Sequence, residues 1–241
     1  MEGSTLFDET DISQERQWLY EQRARVAVGN LQKRSINAQY VPSRQEALSA
    51  ILDMIAPGAT VARADSVTLD QVGVIPELRK SNRNKVIYSV ERDAEGYWLA
   101  EPEQKWKMER ETFSSDVFLT GTNAITLDGK LVNIDGHGNR VSTMIFGPRK
   151  VIVVAGANKI VKDITEALER IQNICAPMNA KRHYLKHHHS AFGELPCVRT
   201  GKCADCKHEW RICCYTVVIE GSMGPDRGRI NVVLVGEELG I

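Results

Sequence analysis

The order of strand-forming and helix-forming segments between residues 116 and 174 constrains the fold more than any other feature of the chain. Strands are predicted at 116–119 and 150–155, and the second of these is apolar and rich in β-branched residues. Such a run predicts a strand that is buried on both faces. Helices are predicted after each strand, at 141–146 and at about 159–174. This alternation is typical of an α/β fold with an open, mostly parallel sheet flanked by helices.

Shorter signals elsewhere extend the same α/β pattern. Ser43 and Glu46 have the spacing of a helix start, and strands are predicted at 60–62, 85–90 and 229–235. The Asp128-Gly129 pair predicts a hairpin between 124–127 and 130–134.

The first 40 residues are predicted as a separate helical segment. The helix runs to about Ser35, and its apolar stripe is predicted to consist of Trp18, Leu19, Val26 and Leu31. Because this stripe is thin, the helix could lie on the body of the protein or serve a homo-oligomer interface. Residues 41–241 are predicted to form one α/β domain, which includes a cysteine-rich loop at 175–214.

The charge balance limits the classes of partner. The chain has 31 basic and 31 acidic residues among 241, so no global field favours nucleic acid or an anionic membrane. The N-terminal stretch has neither a basic region nor an apolar region of a secretory signal. We therefore expect a cytoplasmic protein that binds neither nucleic acid nor a membrane. In a reducing compartment, six cysteines favour thiol or metal chemistry over disulfides.

A glycine-rich loop before the 141–146 helix is the first candidate for a ligand site. Glycine has no Cβ, so a phosphate or carboxylate can approach the backbone, and the helix start offers free N–H groups. An arginine could add a charge-assisted contact. The alternative is a tight strand-to-helix turn that needs glycine for its geometry alone. The six residues of the loop are Asp135, Gly136, His137, Gly138, Asn139 and Arg140.

Two further strand ends could contribute to the same site. Asn123 follows the predicted strand at 116–119, at the edge where open α/β sheets bind ligands. Asp65 and Ser66 occupy a comparable junction after the strand at 60–62. A turn is the alternative role for Asn123, and a helix N-cap is the alternative role for Ser66.

A cluster of cysteines near the C-terminus predicts a metal centre. Cys197, Cys203, Cys206 and Cys213 are the candidate ligands. Because Cys214 is adjacent to Cys213, the sequence does not decide which of these two is the fourth ligand. Four thiolates suit tetrahedral zinc or an iron–sulfur cluster, and the spacing does not decide between them. The alternative is a set of reduced cysteines in an apolar pocket.

Several runs of sequence resemble the LUD-domain (lactate utilisation, DUF162) family. The resemblance lies in residues 64–73, 116–141 and 146–163, and it extends over roughly residues 15–240. The cysteine-rich segment resembles the C-terminal part of one branch of that family. The resemblance implies a fold similar to ribose-phosphate isomerase, glucosamine-phosphate deaminase (NagB) and the CoA transferases. It also implies a role beside iron–sulfur subunits that oxidise lactate to pyruvate.

Three functional hypotheses follow. In the first, the protein is a subunit or accessory of a lactate-oxidising system and binds a small anionic metabolite at the glycine-rich loop. In the second, it is an isomerase or group-transfer enzyme on a phosphorylated or CoA-linked substrate, with Asp135, His137 or Asp128 as the candidate base. In the third, it is a non-catalytic, metal-binding interaction protein. The sequence leaves open whether the chain is an enzyme.

Overall fold

The computed structural model describes residues 9–241. Residues 1–8, which include most of the acidic N-terminal stretch considered above, lie outside the described residues. In the described part of the chain, no helix is both long enough and apolar enough to cross a membrane. The larger helices are α1 (Ser13–Lys33), α2 (Arg44–Asp53), α3 (Val67–Val72), α4 (Val74–Ser81), α5 (Pro102–Glu111), α6 (Asn139–Ile145), α7 (Ile164–Arg170), α8 (Ala176–Lys186) and α9 (Pro196–Thr200).

Six parallel strands form the main sheet, with helices on both faces. Their order across the sheet is β1, β10, β7, β4, β2, β3. This arrangement confirms the predicted α/β class with an open, mostly parallel sheet. The strands are β1 (Asn37–Val41), β2 (Thr60–Arg63), β3 (Lys85–Ile87), β4 (Val117–Gly121), β7 (Lys150–Gly156) and β10 (Ile230–Val235).

Strand β7 lies in the middle of the sheet and is buried on both faces, as predicted. Val151, Val153 and Ala155 pack into one apolar cluster, on the side of α1. Ile152 and Val154 pack into a second cluster on the opposite face, with α2, α3 and α4. Because side chains of a strand alternate between faces, a continuous apolar run is what a sheet covered on both sides requires.

A second, smaller sheet is built around the predicted hairpin. Its strands are β5 (Ala124–Thr126), β6 (Leu131–Asp135), β8 (Ile160–Val161) and β9 (Tyr215–Ile219). The hairpin pair β5 and β6 is antiparallel, β9 is antiparallel to β6, and β8 runs parallel to β5. Sequence analysis did not find β1 or β9, because each is a short run that gains its strand conformation from pairing with a distant strand.

Two predictions about the C-terminal half are wrong in detail. The helix expected at 159–174 begins only at α7, because residues 160–161 pair with β5 and Asp163 caps the helix by accepting a hydrogen bond from the Glu166 amide. The segment 175–214, expected to be a loop, contains α8, a short 3-10 helix at Ser190–Glu194 and α9, and its longest stretch without helix or strand is 201–214.

Helix α1 packs on the body of the protein, but through a different stripe from the predicted one. Of the predicted residues, Leu31 is buried, whereas Trp18, Leu19 and Val26 are exposed. The buried face consists of Ala24, Ala27 and Leu31, which join the apolar cluster on that side of the sheet. The two alanines let the helix backbone pack closely on this apolar cluster.

We predict that Gly129→Ala destabilises the protein more than Gly58→Ala. Both glycines have positive φ, so both substitutions introduce backbone strain of about 1 kcal/mol. A Cβ on Gly129 would lie 2.5 Å from the Asn30 carbonyl carbon of α1, whereas one on Gly58 meets nothing within 4 Å. Denaturant unfolding should therefore show an additional loss of roughly 1 to 3 kcal/mol for Gly129→Ala. Equal losses for the two variants would contradict the close approach of α1.

Candidate functional site

A cavity of about 750 Å³ lies at the carboxyl ends of the parallel strands. Its floor includes the residues that follow β2 and β4, and its walls include residues of α6 and α8. Residues 209–212 lie on the opposite side and cover it. We call residues 197–214 the cysteine-rich cover. Open α/β sheets bind their ligands at this edge, and the volume suits a small metabolite.

Basic side chains outnumber acidic ones around this cavity, seven to four. Four of the seven have a carboxylate oxygen within 3.0 Å, namely Arg63 with Asp70, Lys105 with Glu109, Arg140 with Asp135, and Arg182 with Asp65, and Arg92 forms a longer ion pair of 4.0 Å with Asp65. Among the described residues, the other three, Arg92, Lys159 and Arg211, have no hydrogen-bonded carboxylate. The cavity is therefore an electropositive environment in which part of the positive charge is uncompensated.

Arg140, predicted to contact a ligand, is held entirely by the protein. All five of its N–H groups have acceptors within 3.2 Å, so none is left over for an anion. The prediction that its guanidinium grips a metabolite is therefore not supported, and the residue instead fixes the strand ends around it. The acceptors are Asp135 Oδ1, Asn133 Oδ1, Asn123 Oδ1 and the carbonyl oxygens of Gly121 and Ile134.

The two loop glycines make room for the cover rather than for a ligand. A Cβ on Gly136 would lie 3.3 Å from Ile212 Cα, and one on Gly138, whose φ is +79°, would lie 3.5 Å from the Tyr215 ring. The Cys214 amide also donates to the Asp135 carbonyl oxygen at 2.9 Å. The cysteine-rich cover thus packs against this loop. This favours the structural alternative for the glycines.

The carboxylate of Asp135 performs the capping that a bound anion was expected to perform. Its Oδ1 accepts from Arg140, and its Oδ2 accepts from the Val141 amide at 3.0 Å in the first turn of α6. A carboxylate at a helix start is favourable because the free N–H groups point towards it. His137 and Asn139 lie beside it, both exposed and both lining the cavity.

The other predicted site residues also line the cavity. Ser66 caps α3 by accepting from the Leu69 amide, which is its predicted alternative role. Asn123 Oδ1 accepts from Ile134 and Arg140, so its amide nitrogen is the atom left for a ligand. Asp65 is held by both terminal nitrogens of Arg182. Burial alone would raise the pKa of Asp65, but Arg182 outweighs burial and lowers the pKa to about 2.

Two arginines at the cavity have a buried nitrogen without a partner. Within the described residues, Nε of Arg92 and Nε of Arg211 are inaccessible to solvent and make no hydrogen bond. The terminal nitrogens of Arg211 donate to the carbonyl oxygens of Cys206 and Cys213, which fixes the guanidinium in the cover. Arg92 lies 4.0 Å from Asp65, whose oxygens Arg182 already holds. Buried donors of this kind cost free energy until an acceptor reaches them.

Lys159 is a site residue that sequence analysis missed. It follows β7, is 4% exposed, and donates to Thr68 Oγ1 at 3.0 Å and to the Thr122 carbonyl oxygen at 3.2 Å. Burial and then the nearby Arg170 charge lower the pKa of Lys159 to about 7. Its position just past a central strand was the available signal, but the predicted helix over 159–174 concealed it.

The four predicted metal-binding cysteines lie near one another in the cover, since the charges of Cys203, Cys206 and Cys213 all act on the Cys197 thiol. Within the described residues, their sulfur atoms do not form a group of three or more at coordination spacing. Cys197 and Cys206 pack against a small apolar cluster that contains Phe192 and Leu195. Burial raises the pKa values of the Cys197 and Cys213 thiols, the opposite of what an isolated thiolate site would show. The donor chemistry suits zinc or an iron–sulfur cluster, but the described geometry does not close around one, so the metal stays a prediction.

A second group of metal-ligand type does converge beside the cavity. Ligand atoms of Asp65, His183 and His187 all lie within 4.8 Å of one another, and Nδ1 of the two histidines are 2.8 Å apart. Burial is the main cause that lowers the pKa of His183 to about 3 and that of His187 to about 4, which keeps both rings neutral. However, Arg182 occupies both oxygens of Asp65, and a cation would have to displace it.

Comparison with known proteins identifies the family. The model of the LUD domain matches residues 24–235. The chain belongs to the LUD-domain family. This confirms the family resemblance, and the family is associated with lactate utilisation. The search of curated proteins finds no match.

Solved structures similar to this LUD-domain chain are distant. A DUF162 family protein from Deinococcus radiodurans shares 15% identity, covers 92% of this chain and 96% of its own, and has a TM-score of 0.45. The β and δ subunits of eIF2B from Chaetomium thermophilum share 12% and 14% identity, with TM-scores of 0.35 and 0.32. They cover 52% and 63% of this chain, which in turn covers 45% and 54% of theirs.

We predict that Arg140→Gln destabilises the LUD domain by roughly 2 to 4 kcal/mol, because it leaves the buried Asp135 carboxylate without its cation. Arg149→Gln is the matched control, since Arg149 is exposed and the loss there should stay within about 0.5 kcal/mol. Chemical denaturation of both variants measures the difference. A fully stable Arg140→Gln protein that merely loses ligand affinity would restore the direct binding role for this arginine.

Proposed function

We propose that the cavity binds a small carboxylate of the 2-hydroxy-acid or 2-oxo-acid class, and that the protein works as a component of a lactate-oxidising system. The observations that carry the proposal are the excess of basic side chains around the cavity and the two lining arginines, Arg92 and Arg211, whose Nε–H groups have no partner among the described residues. A ligand carboxylate offers the acceptors that these donors lack in the protein.

The charge around the cavity supports an anionic ligand. The excess of basic side chains favours a negative charge, and three of the four carboxylates present are held by arginines or a lysine. The predicted anion site is therefore retained, but its donors are different. Arg92, Arg211 and the amide nitrogen of Asn123 replace Arg140 and the glycine amides.

The link to lactate rests on the family. LUD-domain proteins are associated with lactate utilisation, and lactate and pyruvate are small monocarboxylates of the proposed class. We infer that iron–sulfur redox subunits are the partners, since lactate oxidation needs an electron acceptor. On this proposal the electrons would pass to such a subunit.

The geometry offers less support for an isomerase or group-transfer enzyme. Such chemistry needs a free base beside the anion. Both carboxylate oxygens of Asp135 already accept hydrogen bonds, from Arg140 and from the Val141 amide. Asp128 lies in the hairpin turn and is paired with Arg34 and Lys130. Of the three candidate bases, only His137 lines the cavity without a hydrogen bond or ion pair to another described residue.

We predict that Arg92→Gln and Arg211→Gln each weaken binding of lactate or pyruvate roughly tenfold or more, because each removes a charge-assisted hydrogen bond. Isothermal titration calorimetry measures the affinity. Arg227→Gln is the matched control, since Arg227 is exposed and does not line the cavity. If the three variants and the unmodified protein bind alike, the cavity arginines do not form the anion site.

We also propose that the cysteine-rich cover is stapled by zinc. The cover contains residues 201–214, which lack helix and strand, yet it forms one wall of the cavity. A tetrahedral zinc bound by thiolates is a common way to fix such a segment. The proposal thus connects the third hypothesis, metal binding, to the ligand site rather than to a separate function.

Metal analysis of anaerobically purified protein tests this. We expect zinc in the unmodified protein, with most of it lost in Cys203→Ser and Cys206→Ser. Cys175→Ser is the control, because Cys175 is buried outside the cover and contacts Arg170. Iron with acid-labile sulfide would instead indicate a redox cluster, and a metal-free protein would show that the cysteines are structural thiols.

A further inference from the structure

Lys159 is an amine placed in the wall of an electropositive cavity. It lies three residues past the central strand β7, and its side chain lies at the carboxyl edge of the sheet, where it contacts Thr122. In the described part of the chain, no carboxylate pairs with its Nζ, whose partners are the two neutral oxygens of Thr68 and Thr122. A buried ammonium normally has an anionic partner, because burying an unpaired charge is costly.

The hydrogen bonds of Lys159 match an uncharged amine. A neutral amine has two N–H groups, and the two oxygens accept both. An ammonium group would have a third N–H, for which the described residues provide no acceptor. The neutral form also keeps its lone pair, which is what a nucleophilic lysine needs.

We propose that Lys159 captures a 2-oxo acid in the cavity by forming an imine with its carbonyl carbon. This inference rests on the proposed function, since the cavity arginines would hold the carboxylate of the same ligand. The nitrogen lone pair adds to the carbonyl carbon, and a proton moves from nitrogen to the former carbonyl oxygen. The resulting carbinolamine loses water to give the C=N bond. No oxidant or reductant is consumed, and hydrolysis returns the acid and the amine.

Such a step would separate the two classes of acid that the cavity accepts. A 2-oxo acid has a carbonyl carbon for the amine, whereas a 2-hydroxy acid has none. Lys159 would therefore hold pyruvate covalently and reversibly and leave lactate bound by its carboxylate alone. The selectivity for the oxidised acid would come from one side chain.

Reductive trapping tests the proposal. The full-length protein is incubated with pyruvate and cyanoborohydride, and the modified lysines are located by peptide mass spectrometry. We expect labelling of Lys159 roughly tenfold or more faster than that of the exposed Lys162, because an ordinary lysine is almost wholly protonated at neutral pH. The pH profile for Lys159 labelling should have its midpoint near the pKa of about 7.

Lys159→Arg and Lys162→Arg are the matched variants, and calorimetry with lactate and pyruvate runs beside the trapping. Lys159→Arg should lose the adduct and Lys162→Arg should keep it. Trapping on the unmodified protein gives a result even if the first variant is unstable.

If pyruvate binds but Lys159 is labelled no faster than Lys162, the imine is wrong and the proposed function stands. If Lys159 is labelled selectively but neither acid binds measurably, the reactive lysine stands and the proposed function fails. If neither binding nor selective labelling occurs, both are wrong.

Discussion

The hydrogen bonds of one arginine determine the shape of the ligand-binding edge. Arg140 donates to oxygens at the end of β4, at the start of β5 and along β6, and it lies in the first turn of α6. These elements belong to two different sheets, and the guanidinium joins them. Its planar set of five donors suits this task in a way that a lysine would not. The cavity wall exists because these strand ends are held together.

That constraint also decides the role of the surrounding loop. With Arg140 and the Val141 amide engaged by Asp135, the loop has little left to offer an anion. Its glycines instead let the cysteine-rich cover approach, with Ile212 seated against Gly136. The proposed ligand donors lie on other walls of the cavity, Arg92 beyond β3 and Arg211 in the cover itself. On that proposal the cover is part of the site, because it carries one of the donors.

Local pattern was sufficient for most of the main sheet. The apolar run at β7, the capping pair Ser43 and Glu46 at α2, and the Asp128-Gly129 hairpin each depend on neighbours in sequence. They were predicted from those neighbours alone. Where the outcome depended on distant pairing, prediction failed. Residues 160–161 were predicted as helix but form a strand because they pair with β5, and α1 buries its alanines and Leu31 rather than the predicted Trp18, Leu19 and Val26.

The sequence by itself determined the fold class, the family and the loops that surround the ligand-binding edge, because these follow from short-range periodicity and from motifs. Only the tertiary structure decided which charges at that edge are satisfied. Arg140 and Arg92 are the same residue type, yet one is surrounded by five acceptors and the other has a buried donor without one. Lys159 likewise gains its lowered pKa from burial and from Arg170. Desolvation and pairing are properties of the folded chain, since they depend on residues far apart in sequence.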